Sequence, residues 1–140
     1  MQRHPALRKL SSEHHLGLVI ARRAANAATG GDDGAQAEAW AEIQRRFVQE
    51  LEPHFRTEET GLLPALAEAG EEALVARTLR EHEAMRRMIA QADAARLSEF
   101  AELLRTHIRF EEQTLFETAQ RRLDEAVLNG LDDAAGAVSD

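Results

Sequence analysis

Apolar positions recur with a helical period in four stretches of the chain. Leu10, His14, Leu18, Ala21 and Ala25 form the first stripe. Trp40, Ile43, Phe47, Leu51, His54, Glu58, Gly61 and Leu62 form the second. Leu74, Thr78, His82, Met85, Ile89 and Ala92 form the third, and Leu97, Phe100, Leu104, His107, Glu111, Leu115 and Thr118 the fourth. Between them lie breaks: Ala28-Thr29-Gly30-Gly31-Asp32-Asp33-Gly34, Gly70, and Ala94-Ala95-Arg96-Leu97-Ser98. Gly and Asp in such runs predict turns. Asn129-Gly130 reads as the end of the fourth helix. The first helix starts either with Pro5 at its first position or with Ser11 or Ser12 as its cap. Four amphipathic helices on short connections predict an all-α fold, an up-down-up-down antiparallel four-helix bundle. The bundle is expected over residues 1–130, with 131–140 as a short acidic tail.

Composition agrees with this pattern. The 140 residues are rich in Ala, Leu, Glu and Arg, contain no tyrosine, and are poor in aromatic residues, so a β-rich fold is not expected. The absence of cysteine excludes a disulfide scaffold and a thiolate metal site. A net charge of −8, from 17 basic and 25 acidic residues, disfavours nucleic-acid binding. No apolar run is long enough to span a membrane. The charged segment Met1–Leu10 has no apolar stretch of the signal-peptide kind, and a cytoplasmic location is expected.

Each stripe carries a histidine where the core should be. Two stripes add a glutamate four residues later, as His54–Glu58 and His107–Glu111, and such pairs stack on one helix face about 5–6 Å apart at Cβ. The surroundings repeat. His54-Phe55-Arg56-Thr57-Glu58-Glu59-Thr60-Gly61-Leu62 matches His107-Ile108-Arg109-Phe110-Glu111-Glu112-Gln113-Thr114-Leu115 in its His, Arg, both Glu and Leu. Glu13-His14 matches Glu81-His82. The first two helices thus form a hairpin that recurs as the last two, and two hairpins facing about a pseudo-two-fold axis bring His14, His54, Glu58, His82, His107 and Glu111 to one point.

A single histidine on an apolar face is ordinarily a satisfied core residue, and a single His–Glu pair is ordinarily a surface pair. Four imidazoles and two carboxylates in one dry core are costly without partners, which metal ions would supply. Imidazole with carboxylate suits iron, zinc, manganese or nickel. Six ligands exceed one tetrahedral zinc and suit two metals. If both glutamates bridge, each metal has four protein bonds, leaving positions for a bridging oxo or hydroxo group and a small ligand.

These residues resemble the hemerythrin-like HHE cation-binding family over about residues 7 to 128. The carriers are Glu13-His14-His15, His54-x-x-x-Glu58-Glu59 with Leu62-Leu63-Pro64, Glu81-His82, and His107-x-x-x-Glu111-Glu112 with Leu115-Phe116. The resemblance implies a four-helix bundle holding a non-haem di-iron centre, with His14, His54, His82 and His107 as terminal ligands and Glu58 and Glu111 as bridges. Two positions depart from the oxygen carriers of this family. Thr78 stands where they have a further histidine, and Glu111 follows His107 by four residues where they have an aspartate at five. The first departure puts pure O₂ carriage in doubt and favours sensing or oxidation, peroxide or nitric-oxide chemistry.

The cofactor expected is therefore two iron ions, with zinc or manganese as alternatives, and the partner a small diatomic ligand or peroxide. Three functions remain open: a binding module for O₂, NO or peroxide; an oxidase, peroxidase or NO reductase; and a structural zinc or mixed-metal bundle. His14 is preferred over its neighbour His15, which points about 100° away on a helix. Thr78 is at best a weak ligand. His4 is expected in solvent, Met85 and Met88 in packing, Arg56 and Arg109 facing away from the site, and the doublets, Arg86-Arg87 among them, on solvated faces. Glu59 and Glu112 are expected either in solvent or against a ligand imidazole.

Overall fold

The computed structural model describes residues 3–138, and their side chains as far as Leu131. It is all helical among the described residues, with five helices and no strand. The first, α1, is Pro5–Gly30. The second, α2, spans residues 33–68 and is interrupted by π turns at Phe47–Leu51 and Glu58–Leu62. The third, α3, is Glu72–Gln91. The fourth, α4, spans residues 97–122 with a π turn at Glu111–Leu115. The fifth, α5, is Glu125–Val138. No described helix is long and apolar enough to cross a membrane.

The helix ends have local causes. Pro5 opens α1, where its missing N–H costs nothing, and His4 Nδ1 accepts the Ala6 N–H at 3.0 Å. His4 is thus a cap, held also to Glu125 at 3.0 Å, rather than a solvated side chain. The glycine-rich break is shorter than expected: only Gly31 and Asp32 lie outside the helices, and Asp32 caps α2 through the Ala35 N–H at 2.8 Å. Gly70, at φ 93°, takes the left-handed turn between α2 and α3 that a side chain would strain. A short 3₁₀ turn, Ala94–Arg96, leads into α4. The end expected at Asn129-Gly130 is not there, because α5 runs through it. Its Leu128 and Leu131 are buried with Leu7, Leu62 and Phe116, which offsets the cost of glycine in a helix.

Both π turns of α2 end two residues before a proline, Pro53 or Pro64. Proline lacks the N–H for the helical ladder and its ring crowds the carbonyl one turn back, so a widened turn accommodates it. The π turn of α4 has no such proline. What it shares with Glu58–Leu62 is that it starts on the glutamate of the His-x-x-x-Glu repeat.

Helix α1 packs most extensively on α4. Gly17 permits this approach, since a Cβ there would lie 2.8 Å from Ile108 Cδ1. The buried face of α1 follows Leu10, His14, Gly17, Ala21 and Ala24, so Leu18, expected on the stripe, is 43% exposed. The core divides into two apolar clusters. One gathers Trp40, Phe47, Phe55, Met85 and Phe100, with Met88 at its margin; the other gathers Leu7, Leu62, Leu66, Phe110 and Phe116. Along α1, α2, α3 and α4 alike, the polar residues of the stripes fall between these clusters.

Candidate metal centre

Between the clusters lie His14, His54, Glu58, Thr78, His82, His107 and Glu111, all buried. Six of the seven form two groups of four. His14, His54, Glu58 and Glu111 offer ligand atoms within 4.8 Å of one another, and so do Glu58, His82, His107 and Glu111. The two glutamates are common to both groups. Glu111 Oε1 faces His14 Nε2 at 2.7 Å and His54 Nε2 at 3.8 Å, while its Oε2 faces His107 Nε2 at 3.0 Å and His82 Nε2 at 3.8 Å. Glu58 divides its oxygens in the same way, Oε2 to His54 Nε2 at 3.2 Å and Oε1 to His82 Nε2 at 3.1 Å. The exposed His15 and the outward Arg56 and Arg109 take no part. Thr78 is fully buried one turn before His82, and its hydroxyl donates to the Leu74 carbonyl at 2.8 Å.

The outer nitrogens of the four imidazoles are each held by a carboxylate. His54 Nδ1 donates to Glu13 at 2.8 Å, His82 Nδ1 to Glu59, His107 Nδ1 to Glu81 and His14 Nδ1 to Glu112, these three at 2.7 Å. Every pair joins two helices, and together they close a ring: α1 to α2, α2 to α3, α3 to α4, and α4 back to α1. Each of these glutamates directly precedes or follows one of the six inner residues. A carboxylate on Nδ1 fixes the proton there and turns the Nε2 lone pair toward the centre. From sequence alone Glu59 and Glu112 are candidates for this place, whereas Glu13 and Glu81 stand out only as repeat markers. The signal was present in the adjacency of each to a ligand-type residue. Ser11 donates to Glu112 at 2.7 Å, so it serves this ring rather than starting a helix.

Aromatic rings pack the imidazoles from the side. Phe116 is parallel to His14 within 1° at 5.4 Å, and Phe55 lies against His82. Arg86, expected on a solvated face, instead spans Glu52, Glu59 and Glu83.

The electrostatics follow from burial and proximity. Burial pushes the His107 imidazole down, but the Glu111 carboxylate and Glu81 outweigh it and lift it to about 10. His82 is raised to about 9 in the same manner, against its own burial, by Glu111 and Glu58. Burial would raise Glu111, yet His107, His14 and His54 hold it well below the usual carboxylate range.

The inner atoms fit a metal cation. His54 Nε2, His82 Nε2, His107 Nε2, Glu111 Oε2 and both oxygens of Glu58 are buried and make no hydrogen bond. So many orphaned polar atoms at one point are costly in a protein interior unless a cation bonds them. The donor set, imidazole nitrogen and carboxylate oxygen, is that of a borderline transition metal.

Neither a curated protein nor a solved structure matches the chain. The family model for the hemerythrin HHE cation-binding domain matches residues 6–119, which takes in the whole His and Glu cluster and nearly all of the four helices that carry it. The chain belongs to the hemerythrin HHE cation-binding family.

Proposed function

We propose that the chain is a non-haem di-iron protein that takes up a small diatomic ligand or peroxide, for sensing, storage or protection against oxidative or nitrosative stress. The observation that carries this reading is the division of Glu58 and Glu111 oxygens between two groups of four inward atoms. In this reading His14 and His54 would hold one metal and His82 and His107 the other, with Glu58 and Glu111 each offering carboxylate oxygens to both groups. Four protein atoms to each metal would leave coordination positions for a small ligand. Two bound irons would supply redox chemistry toward O₂, NO or peroxide. The chain's own part is to orient four imidazoles through Glu13, Glu59, Glu81 and Glu112 and to exclude bulk water with the two apolar clusters.

The up-down-up-down course of α1 to α4 belongs to the same reading. The Trp40 and Phe100 cluster takes the later half of α1, the earlier half of α2, the later half of α3 and the earlier half of α4. That alternation, with short connections, supports antiparallel neighbours.

Metal analysis of protein expressed with iron, with its visible and near-ultraviolet spectrum, tests the proposal. About two irons per chain, with charge-transfer absorption that responds to O₂, NO or peroxide, is the expected result. Catalytic consumption of O₂ or peroxide in the presence of a reductant would make it an enzyme of the same centre. Zinc alone, even after anaerobic iron reconstitution, would overturn the di-iron reading in favour of a structural bundle.

A further inference from the structure

The four outer glutamates are not held alike. Arg86 forks onto both oxygens of Glu59, at 3.0 and 3.2 Å. Arg77 Nε meets Glu81 at 3.1 Å, and Arg3 Nη2 meets Glu112 at 3.2 Å. Each arginine also lies over a ring beside the histidine that its glutamate holds: Arg86 5.5 Å from Phe55, Arg77 3.9 Å from Phe110, Arg3 5.6 Å from Phe116. Glu13 is the exception. Among the described residues no lysine or arginine forms an ion pair with it; Lys9 acts on it only at longer range, beside its bond to His54. The pseudo-repeat shows what differs. Lys9 precedes Glu13 by one helical turn as Arg77 precedes Glu81, and an ammonium lacks the planar fork and the ring-stacking face of a guanidinium.

The same pair borders open space. A cleft of about 180 Å³ between α1 and α2 is lined by Glu13, Gln49, Glu50, Pro53 and His54 among others. Glu50 Oε2 is buried there without a hydrogen-bond partner. A second cavity of about 30 Å³ touches Lys9, Glu13 and Thr57. Pro53, with no N–H to give, leaves the backbone beside His54 one helical hydrogen bond short.

We propose that the Glu13–His54 pair is the movable side of the metal centre, through which divalent cations reach and leave the His14 and His54 group. The inference rests on the metal reading above. A cation must shed water and displace a ligand to pass, and both are easier where carboxylates line a cleft and one imidazole lacks an arginine-held partner. The other three pairs keep their imidazoles fixed. Glu13 is thus a positioning residue with a second use as a carboxylate on the path, followed by Glu50.

Cobalt(II) provides the probe. The protein is loaded with cobalt and its visible absorbance followed as excess chelator removes the metal. Wild type should lose cobalt in two phases of equal size, the faster from the His14 and His54 group. Lys9→Arg, placing a guanidinium where Arg77 stands in the repeat, should slow the faster phase by up to roughly fivefold, the upper end for an exposed ion pair, and leave the slower phase alone. Arg77→Lys should speed the slower phase by a similar factor. Two bound cobalt ions released at rates that neither variant changes would overturn the proposed passage alone. Failure of wild type to bind two cobalt ions would overturn the metal reading and the passage with it.

Discussion

Phe55 lies flat on His82, with ring centroids 3.8 Å apart and planes 9° from parallel. Glu59 holds the Nδ1 of the same imidazole, so the ring is held both against sliding and against rotation about its Cβ–Cγ bond. Phe55 is also fully buried beside Phe47, in the cluster that closes one side of the site. Phe55→Ala should therefore cost about 3–5 kcal/mol of stability, as large-to-small changes of buried aromatics do. Urea unfolding of the metal-free variant measures it. A loss below about 1 kcal/mol would mean that the ring supports neither the core nor the imidazole.

The shared glutamates give a sharper test of the centre. Because Glu58 and Glu111 each face both groups, removing either carboxylate would damage both metal positions of the proposed centre, whereas removing one histidine would damage one. Glu58→Ala and Glu111→Ala should each lower metal content from about two per chain toward one or none. Mass-spectrometric metal analysis on folded protein reads the result. Unchanged content in both variants would sink the shared-carboxylate arrangement.

His14 and His15 are neighbours with opposite surroundings. His14 is buried between Glu111 and Glu112, each 2.7 Å away, while His15 is exposed. His14→Ala should lose the metal of its group, and His15→Ala should retain a full complement. The reverse ranking would reassign the ligand on α1.

The sequence made the helical faces and the inner six residues legible for one physical reason. Burial writes a period into the chain, and ligand-type residues that break the apolar pattern at that period stand out, as His54, Glu58, His107 and Glu111 do. The outer ring was harder to read because Glu13, Glu59, Glu81 and Glu112 sit at the edge of the buried face, where a glutamate is ordinarily solvated. Their partners lie on other helices, as do the Glu52 and Glu59 that draw Arg86 out of solvent. Helix α5 was missed because Asn129-Gly130 is a strong local stop signal. The burial of Leu128 and Leu131 against α1 and α2 is a tertiary effect that no local pattern contains. Leu18 lies off the buried face because that face centres on Gly17, whose missing side chain lets α1 approach α4, and a glycine carries no apolar signal.

The nitrogens that the proposed metals would use also bind protons, and the difference between their folded and unfolded proton affinities sets the pH response of the metal-free protein. His82, raised to about 9, and His107, raised to about 10, bind protons more tightly folded than unfolded, where the ordinary value is 6.5. Their contribution to stability is complete below pH 6.5 and is lost as pH rises through 9 to 10. Each should remove on the order of 1 kcal/mol per pH unit within that window. Glu111 has the opposite sign: held below its ordinary 4.5, it stabilises above that pH and loses its effect in acid. The metal-free protein should thus have its highest Tm between about pH 5 and 7 and a falling Tm from there to pH 10. Metal loading requires the Nε2 atoms to be free of protons, so the loaded protein should release protons on binding and lose the decline in Tm between pH 7 and 10. Calorimetric Tm across this range, with and without metal, checks both statements. A Tm of the metal-free protein that is flat from pH 6 to 10 would show that His82 and His107 are not held against Glu58 and Glu111 when the metal is absent.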